Sequence, residues 1–188
     1  MKWISEVKSR NEIEMYFFLA STYPHRNKKN YTRTERIDDF LKFYVLREGD
    51  LLLAFSAIYK FNEVFVRVLD STFYFPSIRI RGGNYFGTAS EYFLPAMTKY
   101  AKDEGYTPFF SIQSDRPHRR SMKRIVENFN EKNKSQYKVL DGYHWTCRGK
   151  PDTQNDRCWQ TVAICGDYGS SLWPVSKSRK PSYQSPND

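Results

Sequence analysis

The chain has 188 residues, which is room for one domain of ordinary size with a tail and not for two full domains. Hydrophobic residues make up 39% and aromatics 17%, which excludes a wholly disordered chain and predicts a core built largely from rings. Lys and Arg number 30 against 21 Asp and Glu, so the net charge of +9 favours polyanionic partners such as nucleic acid, an anionic membrane surface or a phosphate-rich cofactor, without choosing among them.

Cys147, Cys158 and Cys165 are odd in number and confined to the last quarter of the sequence, which argues against a disulfide framework. The first residues lack the apolar core of a signal peptide, and no uncharged run is long enough to span a bilayer. The expectation is a soluble, cytoplasmic protein with no membrane insertion. Composition shifts once, near Gly166: residues 167–188 are rich in Ser and Pro and nearly empty of aliphatics, so they cannot offset the entropy of ordering by burial. The expected division is a compact domain over residues 1–166 and an arm over 167–188. The arm is flexible or bound to a protein partner, with Trp173 and Tyr183 as its anchors.

In chain order, Ile13, Met15, Tyr16, Phe17, Leu19 and Ala20 recur at helical spacing and predict a helix over residues 11–22, capped by Ser9 or Asn11. Residues 25–36 form a basic loop with Tyr31 interleaved, either a solvated loop or a phosphate-facing surface. Three antiparallel strands follow over residues 42–47, 51–61 and 64–75, separated by turns at Glu48-Gly49-Asp50 and Asn62-Glu63. A period of two in the third strand puts Asp70 on one face with Val64, Val66 and Val68. Arg79, Arg81, Gly82, Gly83, Asn84 and Gly87 make a basic, glycine-rich turn. Thr88 and Glu91 then have capping-box spacing for a helix with the stripe Tyr92, Leu94, Ala96, Met97, Tyr100 and Ala101, while Pro95 either kinks that helix or marks a start nearer Phe93.

A strand over residues 106–113 precedes a second helix over 117–131, carried by Met122, Ile125, Val126 and Phe129. That helix gathers Arg116, His118, Arg119, Arg120, Lys123 and Arg124 in its first turns, where the helix dipole disfavours cations. The cluster is either a solvated basic face or a phosphate-binding one, for a cofactor or nucleic acid. Two final strands occupy residues 137–147 and 157–165. His144 and Cys147 have the spacing of a zinc knuckle, but Cys158 and Cys165 fall on opposite faces of one strand, so the pattern predicts no metal.

This order of elements, a helix, a three-strand meander, a basic glycine turn, a helix, a strand, a helix and two strands, resembles the GNAT superfamily of acyl-CoA N-acyltransferases. The resemblance covers roughly residues 11–166. It implies a mixed α/β fold with a curved central sheet containing an antiparallel meander, and helices on both faces. In that family a loop of pattern Arg/Gln-x-x-Gly-x-Gly/Ala cradles the pyrophosphate of coenzyme A. Arg79 and Gly82 match it and Asn84 stands at the third marked position, a degenerate form of the motif.

Independently of any family, glycines let successive N–H groups approach a phosphate, and a following helix N-terminus favours the anion. The same residues also suit a turn that needs positive φ. The resemblance implies acetyl-CoA as cofactor and a carboxylate on the last meander strand as base, a position Asp70 occupies. An apolar setting would raise its pKa, and pairing with an arginine or capping a bulge is the other reading of the same residue. The family tyrosine that serves as acid has no counterpart, since Phe129 stands in that region; Ser121 or Tyr137 would have to substitute. Two functions are therefore expected. One is transfer of an acetyl group from acetyl-CoA to an amine. The other is an inactive GNAT-fold structural or interaction protein, for example a component of a phage particle assembled in the cytoplasm, binding protein or nucleic acid through its basic faces and arm.

Overall fold

The computed structural model describes residues 1–22, 34–77, 85–113, 119–144 and 159–166. The basic turn from Arg79 to Asn84, Arg116, His118, Cys147, Cys158 and the arm over residues 167–188 lie outside them, as does most of the basic loop over 25–36. The chain divides into two compact units, Met1–Pro108 and Phe109–Asp188. Helices and strands in both make the mixed α/β class expected from the sequence.

The first unit opens with β1 (Lys2–Glu6) and α1 (Arg10–Thr22). Ser9 is the cap of α1, its hydroxyl accepting from Glu12 N and its carbonyl from Ile13 N. A 3-10 turn (Thr34–Asp39) leads into β2 (Phe40–Glu48), β3 (Leu51–Lys60) and β4 (Phe65–Tyr74). These strands lie in the order β1-β2-β3-β4, all antiparallel. Gly49, at φ 57, turns β2 into β3 with a conformation open to glycine. The Asn62 side chain accepts from Val64 N and Phe65 N and so turns β3 into β4.

Alternation along β2 puts helices on both faces of this meander. Phe43 stacks on Tyr16 of α1, while its neighbour Lys42 lies over the Tyr100 ring, 5.2 Å from its centroid. The α1 face is a cluster of rings, Tyr16, Phe17, Phe43, Phe55, Phe73 and Phe75, all buried. From α1 the residues Ile13, Tyr16, Phe17 and Ala20 enter it, at the i, i+3, i+4, i+7 spacing of one helical stripe. Met15, counted in that stripe from sequence, is 46% exposed.

The helical stretch after the glycine turn departs from expectation. It starts at Tyr85, as α2 (Tyr85–Thr88), passes through a π turn (Ala89–Phe93) and continues as α3 (Leu94–Asp103). Thr88 is itself helical, at φ −61 and ψ −43, and its side chain caps nothing, so the capping box read from Thr88 and Glu91 is not formed. Pro95 stands in the first turn of α3, whose cap residue is Phe93, as the alternative start near Phe93 requires; the wider π turn before it makes room for a ring that would collide with the preceding carbonyl of a regular helix. Gly105, at φ 79, ends α3 in a Schellman motif, with Tyr106 N donating to Ala101 O and Gly105 N to Lys102 O.

The second unit takes up β5 (Thr107–Gln113), whose first residue is tied within the first unit to the residue before β4 by Thr107 N donating to Val64 O. It continues with α4 (Arg119–Asn133), β6 (Tyr137–His144) and β7 (Trp159–Cys165), in the antiparallel order β5-β7-β6. Met122, Val126 and Phe129 of α4 are buried, and Tyr137 packs on Phe110 and Phe129 with centroids 5.6 and 5.8 Å away. Asn130 fastens α4 to β6: its amide donates to Tyr137 O at 2.8 Å while its oxygen accepts from Tyr137 N and Ser135 Oγ, each at 2.9 Å. Cys165 is a buried free thiol.

Candidate active site

The site is set by two irregularities in β4. Opposite β3, Phe73 pairs with Phe55, Asp70 with Ala57, and Arg67 with Tyr59, so β4 carries one residue more than β3 between each successive pair. Leu69 and Ser71, the residues flanking Asp70, have φ 57 and 50, a left-handed conformation that costs roughly 1–2 kcal/mol for a residue with a Cβ. Each bulge shifts the alternation by one. Asp70 is therefore not on the face of Val66 and Val68, as a strict period of two requires, but on that of Ala57, Arg67 and Phe73, the α1 face.

Its surroundings also differ from a purely apolar pocket. The Asp70 side chain is 6% exposed, yet it accepts from Ser71 Oγ at 2.9 Å and from Arg67 Nη1 at 3.4 Å. The bulge brings Arg67 into reach at i−3. On the other face Thr72 Oγ1 donates to Leu69 O at 2.8 Å and lies 2.6 Å from Ser56 Oγ, so hydroxyls absorb carbonyls that the ladder releases. Leu69 N–H donates to Met97 Sδ of α3 at 3.3 Å, a weak acceptor. The arrangement is a buried carboxylate held between a guanidinium and a hydroxyl, beside a backbone amide with a soft partner. Such a group can take a proton from a nucleophile brought against it.

Of the residues singled out from sequence for phosphate binding, Gly87 is described, in α2, where its carbonyl accepts from Ser90 Oγ. Arg79, Arg81, Gly82, Gly83 and Asn84 lie outside the described residues. The described helix begins at Tyr85, the residue after Asn84 in sequence. Tyr137 is 3% exposed and packed among rings, a core residue rather than a hydroxyl open to a leaving group. Lys123 and Arg124 of the basic α4 cluster are exposed. The arginine that the second reading of Asp70 calls for is Arg67, while Leu69, Ser71 and Thr72 are not singled out by sequence; the signal that marks this part of β4 is the polar run Asp70-Ser71-Thr72.

A second polar cluster lies on the opposite face, at the β1 side. Lys42 Nζ donates to Glu6 Oε1 at 2.7 Å, and this bond raises the lysine pKa. Tyr44 is pushed up to about 12, first by burial and then by the negative charge of Glu6.

No protein-family model and no curated protein sequence matches the chain. Solved structures do. An N-acetyltransferase from Staphylococcus aureus superposes with a TM-score of 0.55 at 16% identity, over 88% of this chain and 96% of that one. A protein from Desulfovibrio desulfuricans assigned to the GNAT family gives 0.54 at 10% identity, over 88% and 97%. The fold is that of the GNAT acetyltransferases. A third neighbour, the diaminobutyrate acetyltransferase of Paenibacillus lautus in complex with L-2,4-diaminobutyric acid and coenzyme A, gives 0.51 at 11% identity over 88% and 95%. Among the described residues, no helix of this GNAT fold is long and apolar enough to cross a membrane.

Proposed function

We propose that the protein is an N-acyltransferase that moves an acetyl group from acetyl-CoA to an amine, with Asp70 as the base. The observation that carries this is the buried Asp70 carboxylate placed between two bulges in β4 of a GNAT fold. When bound, the coenzyme supplies the acyl thioester. The residues to hold its phosphates are Arg79, Arg81, Gly82, Gly83 and Asn84, followed by the helix N-terminus at Tyr85 and by Gly87, which presents no Cβ in the first helical turn. Asp70 accepts a proton from the incoming ammonium group, and Arg67 and Ser71 fix the carboxylate for it.

Two measurements test this on the intact protein. Titration calorimetry with acetyl-CoA should show micromolar or tighter binding that Arg79→Ala and Gly82→Asp weaken. If the wild type does not bind, the proposal fails. Asp70→Asn should leave that binding within a few-fold and lower kcat/KM toward an active amine by roughly 10²–10⁴. A variant with more than a tenth of the wild-type value would remove Asp70 from the chemistry.

A further inference from the structure

The exposed edge of β1 has a pattern that the acyltransferase reading leaves unused. Val7 N donates to Phe43 O at 2.7 Å, which fixes Val7 and Phe43 as a hydrogen-bonded pair of the β1–β2 ladder. Antiparallel pairs alternate, so Ser5 and Trp3 face β2 with their backbone groups, while Glu6, Ile4 and Lys2 point theirs away from it. Among the described residues β1 ends the strand order of its unit, so those outward groups have no neighbouring strand. Trp3, on this edge, is 44% exposed.

We propose that this edge pairs with the same edge of a second copy of the chain, antiparallel about a two-fold axis at Ile4. Centring on Ile4 sets Ile4 against Ile4 of the second copy, both with outward N–H and C=O groups, and sets Lys2 against Glu6 at each end. Trp3 then lies opposite Ser5 and is covered. Charge fixes the register: centring on Lys2 or on Glu6 puts like charges opposite one another, whereas centring on Ile4 pairs opposite ones. Glu6 already accepts from Lys42 through Oε1, which leaves Oε2 and its lone pairs for the facing lysine. The edge is thus complementary to itself, as an isologous interface must be.

The test is the solution mass of the full chain by sedimentation equilibrium over a wide concentration range. The wild type should dimerise. Ile4→Pro removes an outward N–H and leaves the β1–β2 ladder bonds in place, so it should weaken the dimer about tenfold or more while keeping the wild-type far-UV circular dichroism. Lys2→Glu and Glu6→Lys should each weaken self-association, and an equimolar mixture of the two should form a heterodimer, because both charge pairs are then restored. A wild type that stays monomeric, or a dimer that Ile4→Pro and the charge variants leave unchanged, would overturn the proposal. If Ile4→Pro does not fold, the charge-swap mixture decides alone.

Discussion

Asn130 gives a prediction whose size follows from the hydrogen bonds it makes. Its side chain bonds both backbone groups of Tyr137 and the Ser135 hydroxyl, standing in for a strand partner at the point where β6 leaves α4. Asn130→Ala removes three bonds and keeps the backbone bond from Ser135 N to Asn130 O. At about 1 kcal/mol each the loss is about 3 kcal/mol, with the Tyr137 amide left short of its side-chain acceptor. For a chain of this length that corresponds to a fall in Tm of about 6–12 °C. Asn130→Asp separates the contributions, because it keeps the acceptor for Tyr137 N and Ser135 Oγ but turns a carboxylate toward Tyr137 O. Its cost should shrink as pH falls and the introduced carboxyl regains a proton to donate. Urea unfolding at two pH values measures both variants, and hydrogen exchange at Tyr137 reports the bond directly. An Asn130→Ala variant within about 0.5 kcal/mol of wild type would refute the assigned role.

Three further outcomes are expected. The two helix ends at Gly105 and Lys134 share one motif with opposite residue choices: Gly105→Ala, strained at φ 79 with nothing within 4 Å of the added Cβ, should cost about 1 kcal/mol, and Lys134→Gly, relieved at φ 50, should gain about as much in urea unfolding. The raised pKa of Tyr44 makes stability complete below pH 10 and falling between pH 10 and about 12, because the unfolded chain ionises first; Tyr44→Phe should flatten that fall in a pH series of urea midpoints. Tyr16→Phe removes a hydroxyl that donates to Glu12 and accepts from Arg47 at 2.7 Å, and should cost about 1–2 kcal/mol by thermal unfolding without disturbing the ring stack on Phe43.

The sequence announced the elements whose signals are local. The α1 stripe, the Gly49 and Asn62 turns and the Met122, Val126, Phe129 face of α4 each follow from spacing or turn chemistry within a few residues. Lys-Trp-Ile-Ser-Glu did not read as a strand, because only its position beside β2 makes it one. The π turn before Pro95 and the helical Thr88 depend on how the stretch is carried as a whole, so a local capping pattern misled. Asp70 is legible by type and position, and its pairing with an arginine at a bulge is one of the two readings the sequence offers; which arginine, and which face, are not legible, because a bulge is a relation between two strands and leaves no period in one of them. Arg67 at i−3 looks like an opposite-facing residue until that relation is known.

The two bulges cancel each other in phase. One extra residue inverts which side chains point toward α1, and the second inverts them back, so Arg67 and Phe73 keep the faces their parity gives and only the short block holding Asp70 is turned over. Excising Leu69 and Ser71 together would leave a regular strand in which Arg67, Asp70 and Phe73 still share a side. Excising either one alone would throw everything on one side of the cut out of step, exchanging Phe65 and Arg67 for Val66 and Val68 in the first half of β4 or Phe73 for Thr72 and Tyr74 in the second. Length variation in this strand is therefore tolerable in pairs and not singly, much as compensating shifts restore a reading frame.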